Sequence, residues 1–218
     1  MLSPEEKDDA VEKAVDWLLE HYEEACNEAL NEDYLGGLED ANYERLDEIA
    51  EEMRELLEIN AHEWLLSEAE IEIDGERVRV SELVLGPSGP PFGAEERHFL
   101  AQLASRPLGL YEVDEVDPGK GFWAEDLLGL EDPSRLWVSE PMASESLEPG
   151  DTLGLRLVRA EEWETSGIFY PVPPDAVADL RDQLLEEIEG ADDPAAVRET
   201  LGVAIVDTWL EALTATDE

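Results

Sequence analysis

Leu108-Gly109-Leu110-Tyr111-Glu112-Val113-Asp114-Glu115-Val116-Asp117-Pro118-Gly119-Lys120-Gly121-Phe122-Trp123 is where the chain stops reading as helix and starts reading as strand. Apolar and acidic residues alternate imperfectly up to Val116, and Asp117 to Gly121 must turn. Three further strand-like runs follow: Leu136-Trp137-Val138-Ser139, Thr152 to Arg159, and Gly167-Ile168-Phe169-Tyr170. Thr152 to Arg159 is the best strand in the chain, and Glu148-Pro149-Gly150-Asp151 is the turn before it. Short strands bounded by Gly and Pro turns make a small antiparallel unit, a barrel or curled sheet over about 108–170. Ala124 to Leu130, rich in Leu, reads as a tight helical turn within it.

On either side of this unit the period changes to that of helices. Ser3-Pro4-Glu5-Glu6 starts one, with Ser3 as cap, Pro4 in the first turn and Glu6 completing a capping box. Val11, Val15, Leu18, Leu19, Tyr22, Cys26 and Leu30 then recur at helical spacing. Asn31 to Leu38, with Gly36-Gly37, predicts a break, and Leu46, Ile49, Met53, Leu56 and Leu57 predict a second helix over roughly Asp40 to Ile59. The two form an antiparallel hairpin, each covering the other's apolar stripe. His62-Glu63-Trp64-Leu65-Leu66 continues or restarts the second helix, with His62 and Glu63 on the surface. Ile71 to Val80 alternates around Asp74-Gly75, a hairpin pattern. Gly86-Pro87-Ser88-Gly89-Pro90-Pro91 is a linker-like loop, and a short helix from Ala94 to Ala104 turns Phe99, Leu100 and Leu103 inward and leaves His98 exposed. After the strands, Pro173-Pro174-Asp175 opens a helix through Val177, Leu180, Leu184, Leu185 and Ile188, stopped by Gly190. Asp193-Pro194 opens the last one, with Val197, Leu201, Ile205, Trp209, Leu210 and Leu213 as its stripe, and Thr214 to Glu218 as a polar tail.

The fold class expected is therefore α+β: an N-terminal helical hairpin, a small antiparallel β barrel or curled sheet, and C-terminal helices. Residues 1–86 form a mainly helical region with a short hairpin. Residues 92–218 hold the β unit and its flanking helices, and the two regions can also pack as one compact domain.

Charge is the unusual feature of the composition. The chain of 218 residues has 58 Asp and Glu against 14 Lys and Arg, a net charge of −44, and only Lys7, Lys13 and Lys120 are lysines. A hydrophobic fraction of 43% and six Trp argue for a folded core and against a disordered acidic segment. Self-repulsion of this density destabilises a compact state in dilute salt. The Debye length falls from about 10 Å at 0.1 M to about 3 Å at 1 M, so concentrated salt removes most of that cost. Acid-rich, lysine-poor surfaces of this kind look like those of cytoplasmic proteins in salt-accumulating halophiles. A DNA-mimic decoy is the alternative, but the acids are spread over every segment and are not gathered in one stripe. No basic patch is present to neutralise phosphates, which disfavours direct nucleic-acid binding. Met-Leu-Ser-Pro-Glu-Glu at the N-terminus lacks the pattern of a signal peptide, and no apolar run reaches the ~20 residues of a membrane span. A cytoplasmic, soluble protein is expected.

The candidate chemistry is thin. Cys26 is the sole cysteine, which rules out an internal disulfide or a Cys-based metal cluster, and it reads as a buried apolar residue. His21 lies five positions away, about 140° round a helix, so the two do not face each other. Glu44, Asp47, Glu48, Glu51, Glu52 and Glu55 suggest a di-metal bundle only if Glu-x-x-His pairs point inward, and Glu58 is followed three positions later by Ala61. They read as a solvated face. Gly119-Lys120-Gly121 lacks the spacing and the Ser/Thr of a phosphate loop and leads into a strand. Ser144 and Ser146 lack the Gly-x-Ser-x-Gly setting, and all three histidines lie upstream. No catalytic, cofactor-binding or metal-ligating residue is assigned.

One resemblance is visible. Glu63-Trp64-Leu65-Leu66, Asp74-Gly75, Glu95 to Leu100, Leu110-Tyr111-Glu112-Val113, Val116 to Gly121, Asp126-Leu127-Leu128-Gly129 and Leu147 to Asp151 together resemble an uncharacterised bacterial family. Longer members of that family end in a zinc-binding motif like the one at the C-terminus of the SecA translocase (SEC-C). This chain lacks the terminal Cys/His cluster, so the resemblance implies a fold and neither zinc binding nor catalytic residues. The function expected is a non-enzymatic interaction or adaptor module that binds another protein in the cytoplasm of a salt-adapted organism. Two alternatives stay open: a hydrolase-type enzyme whose site assembles from distant residues such as His62 or His98 with carboxylates, and the DNA-mimic decoy.

Overall fold

The computed structural model describes residues 2–37, 51–191 and 194–215. It divides into two compact units, Met1–Pro107 and Leu108–Glu218. The first opens with helix α1 (Pro4–Ala29), held at its start by the expected capping box. The Glu6 amide donates to Ser3 Oγ at 3.3 Å and the Ser3 amide donates to Glu6 Oε2 at 2.7 Å. Its buried side is built from Ala10, Ala14, Val15, Leu18, Cys26 and Ala29, smaller residues than the stripe read from sequence, and the helix kinks at Tyr22. The break expected after Leu30 is instead helical. A π-helical turn spans Leu30–Tyr34 and a 3-10 turn spans Leu35–Gly37. Tyr34 accounts for this: it is buried, its ring centroid lies 5.2 Å from that of Trp64, and its hydroxyl accepts from Asn60 Nδ2 at 2.6 Å. An aromatic anchor outweighs the polar Asn31-Glu32-Asp33 around it.

Helix α2 (Glu51–Ser67) is the later part of the expected second helix and runs on through Trp64, Leu65 and Leu66, all buried. Leu46, Ile49 and the carboxylates Glu44, Asp47 and Glu48 lie outside the described residues. Strands β1 (Glu70–Ile73) and β2 (Glu76–Arg79) form the expected hairpin. Asp74 (φ 54°) and Gly75 (φ 84°) both take the left-handed conformation that a two-residue type I′ turn requires. Helix α3 (Val80–Val84) is one short turn, and α4 (Ala94–Ser105) buries Phe99, Leu100 and Leu103 as its spacing predicts. No helix among the described residues is long and apolar enough to cross a membrane.

The second unit is a closed five-stranded barrel. Strands β3 (Gly109–Asp117), β4 (Gly121–Asp126), β5 (Arg135–Ser139), β6 (Thr152–Arg159) and β7 (Trp163–Val172) pair in the order β3-β4-β5-β7-β6, with β6 returning to β3. Four of the pairings are antiparallel, and β5 with β7 is parallel. This is a small Greek-key barrel, the architecture that OB-folds use. Tyr111, Val113, Phe122, Ala124, Leu136, Val138, Leu153, Leu155 and Leu157 fill it. The helical turn expected over Ala124–Leu130 is not formed. Ala124 to Asp126 belong to β4, and the Asp126 carboxylate then accepts from the Leu128 amide at 2.9 Å and the Glu131 amide at 2.7 Å, bending the chain. These side-chain bonds offer the backbone an alternative to a helix.

Helices α5 (Val177–Gly190) and α6 (Pro194–Ala215) complete the unit, so Thr214 and Ala215 extend the helix into the stretch read as tail. Helix α6 packs on β7 and β3. Gly154 makes this approach possible: a β-carbon there would sit 2.3 Å from Ile205 Cγ2. Beside it Trp209 meets Tyr170 edge to face at 5.2 Å. Every β6 residue except Arg159 is buried, outward-pointing Gly154 and Val158 included.

Candidate functional site

Barrel strands alternate inward and outward side chains. On β4, Phe122 and Ala124 are buried in the barrel while Trp123 and Glu125 are partly exposed. On β5, Leu136 and Val138 point in while Arg135, Trp137 and Ser139 point out. The register aligns these outward residues in three rungs: Gly121 opposite Ser139, Trp123 opposite Trp137, and Glu125 opposite Arg135. A register shift in β3 between Val113 and Glu115 then brings two consecutive exposed acids, Asp114 and Glu115, to the same side.

The side chains on this face form a connected layer. The Trp123 and Trp137 rings meet at 62° with centroids 5.6 Å apart. The Arg135 guanidinium lies over Trp123, 4.3 Å from the ring centroid. It is held there by Asp114, which accepts from Nε at 2.6 Å, and by Glu115, 3.3 Å from Nη2. Trp137 leans across Gly121, where an added β-carbon would lie 3.0 Å from Trp137 Cζ2 and 2.1 Å from the Val138 carbonyl oxygen. Only a residue without a side chain leaves that space. A second such pair sits at the β6–β7 turn, with Arg159 stacked over Trp163 at 5.3 Å. Met142, 84% exposed, stands three residues beyond the end of β5.

The balance of charge on and beside the layer is negative. Glu112, Asp114, Glu115, Asp117 and Glu125 accompany Arg135 and Lys120, and Lys120 is itself paired with Asp117 at 2.7 Å. Flat indole faces set among carboxylates can hold a cationic or planar group by stacking and ion pairing. Sequence reasoning did not single out Trp123, Trp137 or Arg135. Their pattern was present: each Trp sits on the opposite parity from its strand's buried residues, Phe122-Trp123-Ala124 and Leu136-Trp137-Val138.

The residues weighed from sequence lie elsewhere. Cys26 is fully buried in α1, and desolvation pushes its thiol from an ordinary 9.0 up to about 11. The His21 ring stacks on Trp17 at 4.8 Å, and its Nδ1 is 2.8 Å from the Trp17 carbonyl oxygen. His98 is exposed and bonds Gln102 along its own helix. Glu63 is buried, contrary to the surface placement expected, and His62 beside it is half-buried. Lys120 is in the β3–β4 turn and leads into a strand. Ser144 is buried, accepting from the Gly119 amide at 3.0 Å and donating to the Pro141 carbonyl at 2.8 Å, so it ties two turns together. A cleft of about 620 Å³ in the first unit is lined by α1 and the β1–β2 hairpin, with His21, Tyr22, Glu28 and Glu72 on its walls. Arg77 there is already within ion-pair distance of Asp33 and Glu70. Among the described residues no group of three or more His, Cys, Asp or Glu is placed to hold a metal ion. Compared with protein-family models, curated proteins and solved structures, the chain matches none.

Proposed function

We propose that this chain is a non-enzymatic interaction module of a salt-accumulating cytoplasm, and that the outer face of β4 and β5 is where it meets a partner protein. The observation that carries the reading is the Trp123–Trp137–Arg135 layer. Trp and Arg are the residue types that concentrate binding energy at protein interfaces. Here two of the six Trp stand on the outside of the barrel, oriented by side chains and not packed into its core. Pre-positioning of this kind lowers the ordering cost of association. The 58 acids and three lysines support the salt-adapted part of the reading. Kinship with the family that carries the SecA-type motif belongs to the same proposal and assigns no residue a role.

The test is affinity capture from a native high-salt lysate, run in parallel with the wild-type chain and with Trp123→Ala/Trp137→Ala. Far-UV circular dichroism checks the fold, and Trp123→Phe/Trp137→Phe serves as the milder pair. Proteins retained by wild type, weakened by the Phe pair and lost with the Ala pair support the proposal. An identical set retained by all three overturns it.

A further inference from the structure

We infer that the outer β4–β5 face receives a protein segment that presents an arginine side chain, whose guanidinium stacks on Trp137 and pairs with the neighbouring carboxylates. This deepens the interaction-module reading and rests on it.

The barrel supplies its own precedent for the chemistry. Trp123 and Trp163 each carry a guanidinium over the ring, from Arg135 and Arg159. Among the described residues no cation lies over Trp137, which shares the central rung with Trp123 and is partly exposed. Charge points the same way. Glu125, diagonal to Trp137 across the β4–β5 register, and the acids of β3 beyond Trp123 complement a cation and repel a phosphate chain. Strands β4 and β5 pair with each other over Gly121–Glu125 and Arg135–Ser139, so recognition on their outer face falls to side chains.

Concentrated salt selects arginine in particular. With a Debye length of about 3 Å at 1 M, long-range steering by the net charge is lost and only contact interactions remain. A guanidinium is planar, weakly hydrated and stacks on aromatic faces, whereas the compact, strongly hydrated ammonium of lysine gains less from the same contact.

The test uses the whole chain labelled with 15N at the tryptophan indoles, in about 2 M KCl. Resonances of Trp123 and Trp137 are assigned by Trp→Phe variants. Short Gly/Ser peptides carrying arginine, lysine or citrulline at one position are titrated, with a single-stranded oligonucleotide as a separate arm. The arginine peptide is expected to shift both indole signals to saturation, with lysine weaker and citrulline without effect. Trp137→Leu, which keeps apolar bulk and removes the π face, is expected to weaken the arginine peptide about tenfold. Equal binding of citrulline, or indole shifts with the oligonucleotide and not with the arginine peptide, overturns the inference. No shift with any peptide overturns it as well. If lysate capture still depends on Trp123 and Trp137 in that case, the interaction reading stands without the arginine assignment; if that dependence fails too, both fall.

Discussion

Ser3 and Glu6 show how much a single pair of side chains does at the start of α1. Each satisfies the other's backbone amide, and Pro4 spares the first turn a donor that would have no partner. The amide and hydroxyl of Ser3 hold the exposed Glu6 carboxyl below its ordinary value of 4.5. A lowered folded-state pKa stabilises the fold at pH above the unfolded value and loses that contribution as pH falls through the folded value. Glu6→Gln should therefore lower the denaturant midpoint near pH 7, and the gap from wild type should close near pH 3. Ser3→Ala should cost about 1 kcal/mol near pH 7. A gap that persists undiminished in acid would contradict the assignment to an ionised cap. At this scale the capping box and the burial of Cys26 were legible because both depend on neighbours in sequence. Glu63 was not, since its burial comes from tertiary packing around α2 that local spacing does not encode. The Trp123–Trp137 pair was half legible: parity placed each indole outward, but only the β4–β5 register brings them into one rung.

Between elements, the docking of α6 onto the barrel hangs on Gly154. Its missing side chain admits Ile205 Cγ2, and Trp209 closes over Tyr170 beside it. Adding one methyl group at this contact forces either the helix or β6 to move. Gly154→Ala should destabilise by about 1–3 kcal/mol. Combining it with Ile205→Ala should recover part of that loss, read as a coupling energy in a double-mutant cycle by urea denaturation. Strictly additive effects would show that α6 does not rest there. Strand positions were readable from the Gly and Pro turns, and Thr152–Arg159 matches its strand end to end. Where the reading failed, side chains redirected the backbone. Asp126 bends a Leu-rich run that propensity alone would wind into a helix, and Tyr34 winds a polar run that composition alone would leave open. Strand β7 begins at Trp163, earlier than the apolar stretch from Gly167, because the polar run Glu164-Thr165-Ser166 continues the ladder with β6, with Thr165 buried opposite Leu157.

Over the whole molecule, the division of labour is between an ordinary apolar core and a surface of strongly negative net charge. The α+β class, a barrel or curled sheet in the middle and the flanking helices followed from periodicity and turns. Barrel closure and the parallel β5–β7 seam did not, because pairing between distant strands leaves no local trace. Fifty-eight acids against fourteen bases oppose a compact state by self-repulsion, a cost that salt screening lowers. The buried thiol of Cys26 is a built-in reporter of folding, shielded and held above its ordinary pKa only while the first unit is folded. The decisive measurement is thermal unfolding followed by circular dichroism and by Cys26 labelling, at KCl concentrations from about 0.1 M to about 3 M. An acid coat adapted to brine predicts a melting temperature that climbs by about 10 °C or more across the series, with the thiol labelled readily at the low end and protected at the high end. A melting temperature and a labelling rate that stay constant from dilute buffer upward would contradict it.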